Sequence, residues 1–221
     1  ASAHGEPLGE ENIKEMRKFL NWEHEEAFFV PEEVYQHYDA LVEEKKNLYL
    51  SWETLKAEYA KKYPDDYEKY LSYHDKNRVM DLIHCEELWE KIENPEATRS
   101  SSGEVIQVIK KAIPNLFGGS ADLAPSNKTE MKGEGFFAKD NRLGKNIHFG
   151  VRELAMAGIA NGILLHGGYR SFVATFFVFS DYIKPMARLA ALMRIPQIFV
   201  LTHDSIGVGE DGPTHEPIEQ L

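Results

Sequence analysis

NIHFGVRELAMAGIANGILLHGGYRSFVATFFVFSDYIKPMARLAALMRIPQIFVL, residues 146–201, alternates between two kinds of segment. Three apolar runs, at 146–149, 171–179 and 197–201, have the length and the β-branched and aromatic content of buried strands. Between them lie two stretches of helical length and composition, 152–166 and 182–194. Strand and helix in alternation predict right-handed crossovers and a parallel sheet covered by helices, an α/β architecture.

Working upstream, Ser101 followed by Glu104 has the spacing of a capping box and predicts a helix to Ala112, stopped by Pro114. A short strand is expected at 115–117. The charged, glycine-rich residues 129–145 read as an exposed loop. Farther upstream the pattern is helical: 10–20, then about thirty residues from Val34 to the break before Pro64, then 65–73 and 78–92, with Leu88 and Trp89 facing inward. The long helix carries a stripe of Tyr35, Tyr38, Leu41, Val42, Leu48, Tyr49, Trp52, Leu55 and Tyr59, which reads as packing surface. Pro95 and the serine run that follows mark a change of character. The expected organisation is a first region, 1–98, ending in a helical linker, and an α/β domain, 99–221.

Charge separates the same two regions. Residues 1–100 hold 24 carboxylates against 13 Lys and Arg, whereas residues 101–221 hold 12 of each, so the net charge of −11 belongs to the first half. No basic patch offers itself to nucleic acid. No apolar run is long enough to span a bilayer, and no signal-peptide pattern opens the chain. The single cysteine, Cys85, excludes an internal disulfide and fits a reducing compartment. The chain begins without methionine and is read as a piece of something longer.

Downstream of the last strand runs THDSIGVGEDGPTHEPIEQL, residues 202–221. Glycines at 207, 209 and 212 let backbone approach a ligand, and His203, Asp211 and His215 supply hydrogen-bonding groups at a strand's carboxyl end, where ligands bind in open α/β sheets. The plainer alternative is a solvated loop. Phe176, Phe179 and Tyr182 suit either aromatic packing or a pocket for a flat heteroaromatic ring. Glu153 either complements the dipole of the helix it opens or serves a site there. GGSAD, Gly118–Asp122, with Pro125, Ser126 and Asn127, forms a glycine-marked turn whose amides and Ser126 hydroxyl suit a phosphate, with Arg99 as a further charge. His4, beside Gly5, reads as a ligand-facing or an ordinary exposed histidine. No zinc spacing organises His203, Asp204, Asp211 and His215, and no serine nucleophile elbow is present.

Taken together, HFGVREL with AMAGIANGI (148–163), GGSADLAPSN (118–127), TFFVFSDY (175–182) and the 202–221 string resemble transketolase. The resemblance is dense over 99–221 and looser upstream. It implies a three-layer thiamine-diphosphate-binding (pyrimidine) domain, incomplete at its C-terminal end, preceded by the end of a diphosphate-binding domain. It implies transfer of a two-carbon ketol unit between sugar phosphates in the pentose phosphate pathway, with thiamine diphosphate and Mg2+ or Ca2+, in a cytoplasmic homodimer whose active sites lie between subunits. On the matching motifs, Glu153 would hydrogen-bond the cofactor's aminopyrimidine ring, with Phe176, Phe179, Tyr182 and Asp122 forming its pocket. His203, Asp211 and His215 would face the substrate, His215 assisting proton transfer. Arg99 and Ser126 would hold the substrate phosphate, and His4 would lie near the cofactor diphosphate and the reacting carbon. Leu154 departs from the pattern, since many relatives carry histidine after the glutamate. The metal and diphosphate motif is expected outside these residues, so the chain alone is expected to be inactive. The alternative from another class is a non-catalytic partner or regulatory subunit.

Overall fold

Four short parallel strands, β1 (Leu116–Ser120), β2 (Asn146–His148), β3 (Arg170–Phe176) and β4 (Ile198–Thr202), line up in the order β2-β1-β3-β4. The computed structural model that contains them describes residues 2–75, 82–90, 95–205, 207 and 210–220. These fall into two units, Ala1–Pro64 and Asp65–Leu221.

The sheet belongs to the second unit. Side chains alternate across a strand, and β3 shows the result. Phe172 packs with Ile106, Ile113, Leu116 and Met131 on one side of the sheet. Val173, the next residue, packs with Met156, Ala157, Ala160 and Ile183 on the other. Helix α4 (Thr98–Ala112) supplies the first layer, and α6 (Glu153–His166) and α7 (Ser180–Leu192) supply the second. The expected three-layer α/β architecture is therefore present. β1 is sandwiched so tightly that a Cβ on Gly118 would lie 2.1 Å from the Phe172 carbonyl oxygen, and one on Gly119 2.1 Å from that of Ile147. Only glycine admits both neighbours at this spacing.

Several expected details change. The 171–179 run is a strand only to Phe176; residues Phe177–Phe179 form a 3-10 turn that leads into α7. Helix α4 begins at Thr98, with no side-chain cap, and the Ser101 hydroxyl donates to Glu96 at 2.7 Å, so the capping box is not used. The 129–145 loop is pinned: Thr129 and Met131 are fully buried. Of the expected 78–92 helix, residues 78–81, 91 and 92 lie outside the described residues. The described part holds only a 3-10 turn, Glu86–Trp89, closed by the Trp89 indole N–H donating to the Ile83 carbonyl at 2.7 Å, and Trp89 is exposed.

The first unit contains a 3-10 turn, Ser2–His4, then α1 (Glu10–Phe19) and α2 (Glu32–Lys62). The 31 residues of α2 make a rod of about 45 Å. Its stripe is not buried: Trp52 is 51% exposed and Tyr49 60%. Among its described residues none is buried. α3 (Pro64–His74) follows. Among the described residues, no helix is long and apolar enough to cross a membrane.

Candidate functional site

The strand order locates a crevice. From β1 the chain passes to β2 on one side, and from β3 to β4 on the other, so the carboxyl ends of β1 and β3 flank the switch point where ligands bind in such sheets. Two adjoining cavities open there, with Leu123 and His215 in the walls of both.

The first cavity, about 390 Å³, is bordered by Asp122, Val151, Glu153, Phe179 and Tyr182. Glu153 is the first residue of α6 and half-buried, and no hydrogen bond or ion pair joins its carboxylate to another described residue. The Phe179 and Tyr182 rings stack with centroids 6.1 Å apart. Asp122, just past β1, is exposed and adopts φ 67°, a strained conformation for a residue with a Cβ. A half-buried, unpaired carboxylate beside a ring stack suits a flat heterocycle that brings its own N–H donor.

The second cavity, about 690 Å³, is bordered by Arg99, Ser126, Lys128, Phe176, His203, Glu210 and Asp211. Phe176 is buried and lies on the His203 ring at 3.6 Å between centroids, so it serves this cavity while its neighbours Phe179 and Tyr182 serve the first. Arg99 Nη1 donates to His203 Nε2 at 2.7 Å. Burial, and then the Arg99 charge, hold the His203 pKa below its ordinary value of 6.5. His203 follows β4 with φ 53°, in the left-handed region like Asp122 and Lys128. Two cations, Arg99 and Lys128, the Ser126 hydroxyl and two carboxylates in one cavity suit an anionic group on a polyol. His215 stands between the cavities, its ring 5.5 Å from Phe179 and 5.9 Å from Phe176, with Nδ1 engaged by the Thr214 hydroxyl at 2.7 Å. His4 belongs to the first unit, where it ends the Ser2–His4 turn and is exposed. Gly209 lies outside the described residues. Among the described residues, no group of three or more His, Cys, Asp or Glu side chains is arranged to hold a metal ion.

The family model for the transketolase pyrimidine-binding domain matches residues 94–221, more than half of the chain. The chain belongs to the transketolase family. The model for the transketolase thiamine diphosphate binding domain matches residues 1–77. The transketolase of Geobacillus stearothermophilus is 50% identical over 100% of this chain and 33% of its own length. That of Halalkalibacterium halodurans is 48% identical over 99% of this chain, again 33% of its own. The chain thus spans about a third of the curated transketolases it matches. Among solved structures, the transketolase from Leishmania mexicana superposes with a TM-score of 0.80 at 35% identity, covering 97% of this chain and 32% of that one. A Pichia stipitis transketolase in complex with sedoheptulose-7-phosphate gives 0.80 at 37% identity, covering 96% and 32%.

Beside these transketolase motifs, four polar residues escaped the reading of the sequence. Ser120, Asn127, Thr129 and Thr202 are buried and joined by hydrogen bonds behind His203. Asn127 stood inside a quoted motif without a role, and the only available signal was a polar residue ending an apolar strand. Lys128, which borders the second cavity at φ 58°, was likewise unassigned.

Proposed function

We propose that the protein to which this chain belongs is a thiamine-diphosphate-dependent transketolase that moves a two-carbon ketol unit between sugar phosphates in the pentose phosphate pathway of the cytoplasm. One observation carries the reading: an aromatic cavity with an unpaired carboxylate, Glu153, meets a cavity lined by Arg99, Ser126, His203 and Asp211 at a single imidazole, His215. The donor set fits the cofactor's pyrimidine, because Glu153 has a free carboxylate and Phe179 and Tyr182 present stacked rings. When bound, thiamine diphosphate supplies carbanion stabilisation for breaking and remaking a carbon–carbon bond beside a carbonyl.

The residues divide the work. Glu153 would share a hydrogen bond with the pyrimidine ring nitrogen, Phe179 and Tyr182 would line its pocket, and Asp122 would support the same region. Phe176 backs the ring stack through Phe179, 5.9 Å away. His215, with Nδ1 taken by Thr214, has Nε2 left to pass a proton to or from a sugar oxygen. Asp211 and His203 border the sugar hydroxyls, His203 with Nε2 already engaged by Arg99. Arg99 and Ser126 hold the phosphate. His4, within the part matched by the thiamine diphosphate binding model, serves the cofactor diphosphate and the reacting carbon.

The proposal places the ligands of the divalent cation, Mg2+ or Ca2+, outside these residues, and the domain boundary at 98/99. It includes a homodimer with the active site between subunits, consistent with the exposed Leu154, Ile159 and Leu165 on α6. The 221 residues alone are then inactive.

The test is ketol transfer from xylulose 5-phosphate to ribose 5-phosphate by the full parent protein, wild type beside Glu153→Gln. Transfer that collapses in a folded variant supports the reading. No transfer by folded, cofactor-supplied wild type refutes it in favour of a non-catalytic partner. Micromolar binding of thiamine diphosphate with magnesium by the 221-residue chain in a calorimeter would contradict the inactivity of the chain alone.

A further inference from the structure

Behind the second cavity, a line of hydrogen bonds runs from the surface into the core. Arg99 Nη1 meets His203 Nε2 at 2.7 Å, and His203 Nδ1 meets the Thr202 hydroxyl at 2.9 Å. The Thr202 hydroxyl reaches Asn127 Oδ1, Asn127 Nδ2 reaches the Ser120 hydroxyl at 3.1 Å, and Ser120 reaches the Thr129 hydroxyl at 2.6 Å. Every member after Arg99 is buried; Asn127 and Thr129 are fully so. The line ties the end of β1, the short helix α5 (Ala124–Asn127), the following loop and the end of β4.

One direction of donation uses every group from Arg99 to Ser120. A guanidinium has donors and no acceptor, so His203 Nε2 must accept. An imidazolium, or a neutral ring protonated at Nε2, would set donor against donor at 2.7 Å. The ring proton therefore sits on Nδ1 and goes to the Thr202 oxygen. The Thr202 proton then goes to Asn127 Oδ1, the Asn127 amide donates to Ser120, and Ser120 donates to Thr129. Turning the Asn127 amide over would aim its Nδ2 at the Thr202 oxygen and leave the Thr202 proton without an acceptor in the line.

We propose that Thr202 and Asn127 are positioning residues that hold His203 as the neutral Nδ1–H tautomer, so that its Nε2 lone pair aims the Arg99 guanidinium into the second cavity. His203 then contributes an acceptor rather than a second positive charge. Arg99 keeps its remaining donors, in fixed orientation, for an anion. The inference rests on the proposed function only for the identity of that anion.

The test is a long-range proton–nitrogen correlation spectrum of the full parent protein labelled with 15N-histidine at pH 7.5, with the His203 signals assigned by their loss in His203→Gln. Expected is a protonated-type Nδ1 and an unprotonated-type Nε2. An Nε2–H or imidazolium pattern in wild type overturns the proposal without any variant. Thr202→Val, which has no oxygen to accept the proton, should move both nitrogens toward the exchange-averaged position. Thr202→Ser should restore them, and Asn127→Ala should shift them part of the way. The unchanged signals of His148 and His166 report that each variant is folded. Unchanged His203 signals in folded Thr202→Val or Asn127→Ala overturn the role of that residue. The readout needs neither cofactor nor turnover, so an inactive parent protein and a wrong tautomer are separate results.

Discussion

Replacing Asn146 should unfasten the 129–145 loop, at a cost the hydrogen bonds allow one to work out. Asn146 is 4% exposed, its Oδ1 accepts from the Met131 N–H at 2.8 Å, and its Nδ2 donates to the carbonyls of Met131 at 3.0 Å and Gly135 at 2.9 Å. Both carbonyls keep a second donor, Glu134 N–H for Met131 and Asn146 N–H for Gly135. The Met131 N–H has no other acceptor among the described residues. Asn146→Ala therefore leaves one buried donor unpaired, costing about 1 to 3 kcal/mol, and loses two further bonds worth about 0.5 to 1.5 kcal/mol each. A destabilisation of about 2 to 6 kcal/mol follows, read by urea unfolding followed by circular dichroism, with the Met131 amide losing its hydrogen-exchange protection. Asn146→Asp sharpens the test. A carboxylate at 146 can accept from Met131 N–H but opposes two carbonyl oxygens, so its folded pKa rises above the unfolded value of about 3.9. The folded variant then binds more protons than the unfolded one, and its deficit against wild type shrinks as pH falls through the raised pKa. A loss below about 1 kcal/mol in Asn146→Ala with Met131 still protected would refute the reasoning, since the figure rests on an orphaned donor.

Because the folded pKa of His203 lies below the unfolded value of 6.5, the unfolded chain takes up that proton first, and stability falls as pH drops below about 6.5 until the folded pKa is passed. Urea midpoints between pH 7.5 and 5.5 should therefore decline less steeply in His203→Gln than in wild type, and an identical slope would contradict this. Gly119→Ala places a Cβ 2.1 Å from the Ile147 carbonyl oxygen, a backbone atom held in the sheet. It should cost about 3 kcal/mol or more in thermal or urea unfolding, and a change under 1 kcal/mol would show that β1 and β2 separate easily.

Legibility in the sequence tracked how local the deciding physics is. The α6, β3, α7 and β4 segments were readable because each carries its own composition and each ends within a few residues of the expected place. The run Phe176, Phe177, Val178, Phe179 misled because a continuous apolar string looks the same whether it continues a strand or turns into a helix. The turn at Phe177–Phe179 places Phe176 on His203 and Phe179 opposite Tyr182, so this small departure shapes both cavities. Leu88 and Trp89 looked like a helical core pair, but the Trp89 indole is taken by a carbonyl six residues away. The pinned loop was hidden because its anchor is one methionine in a polar stretch, held by a side chain 15 residues on. The buried line behind His203 was hidden for the same reason: Asn127 and Thr202 are 75 residues apart and meet only once β1 and β4 lie in one sheet. His203, Glu153 and His215 stood out because they border glycines and strand ends; the residues that hold them did not.

Strand β3 has a consequence for how the second unit comes apart. Adjacent residues, Phe172 and Val173, are central to the packing of opposite layers, and the strand is paired on both edges. Neither layer can be peeled from the sheet without exposing a face of the strand on which the other depends. The α4 side and the α6–α7 side are therefore expected to share one melting event, in which the strand ends at the floor of both cavities are lost together.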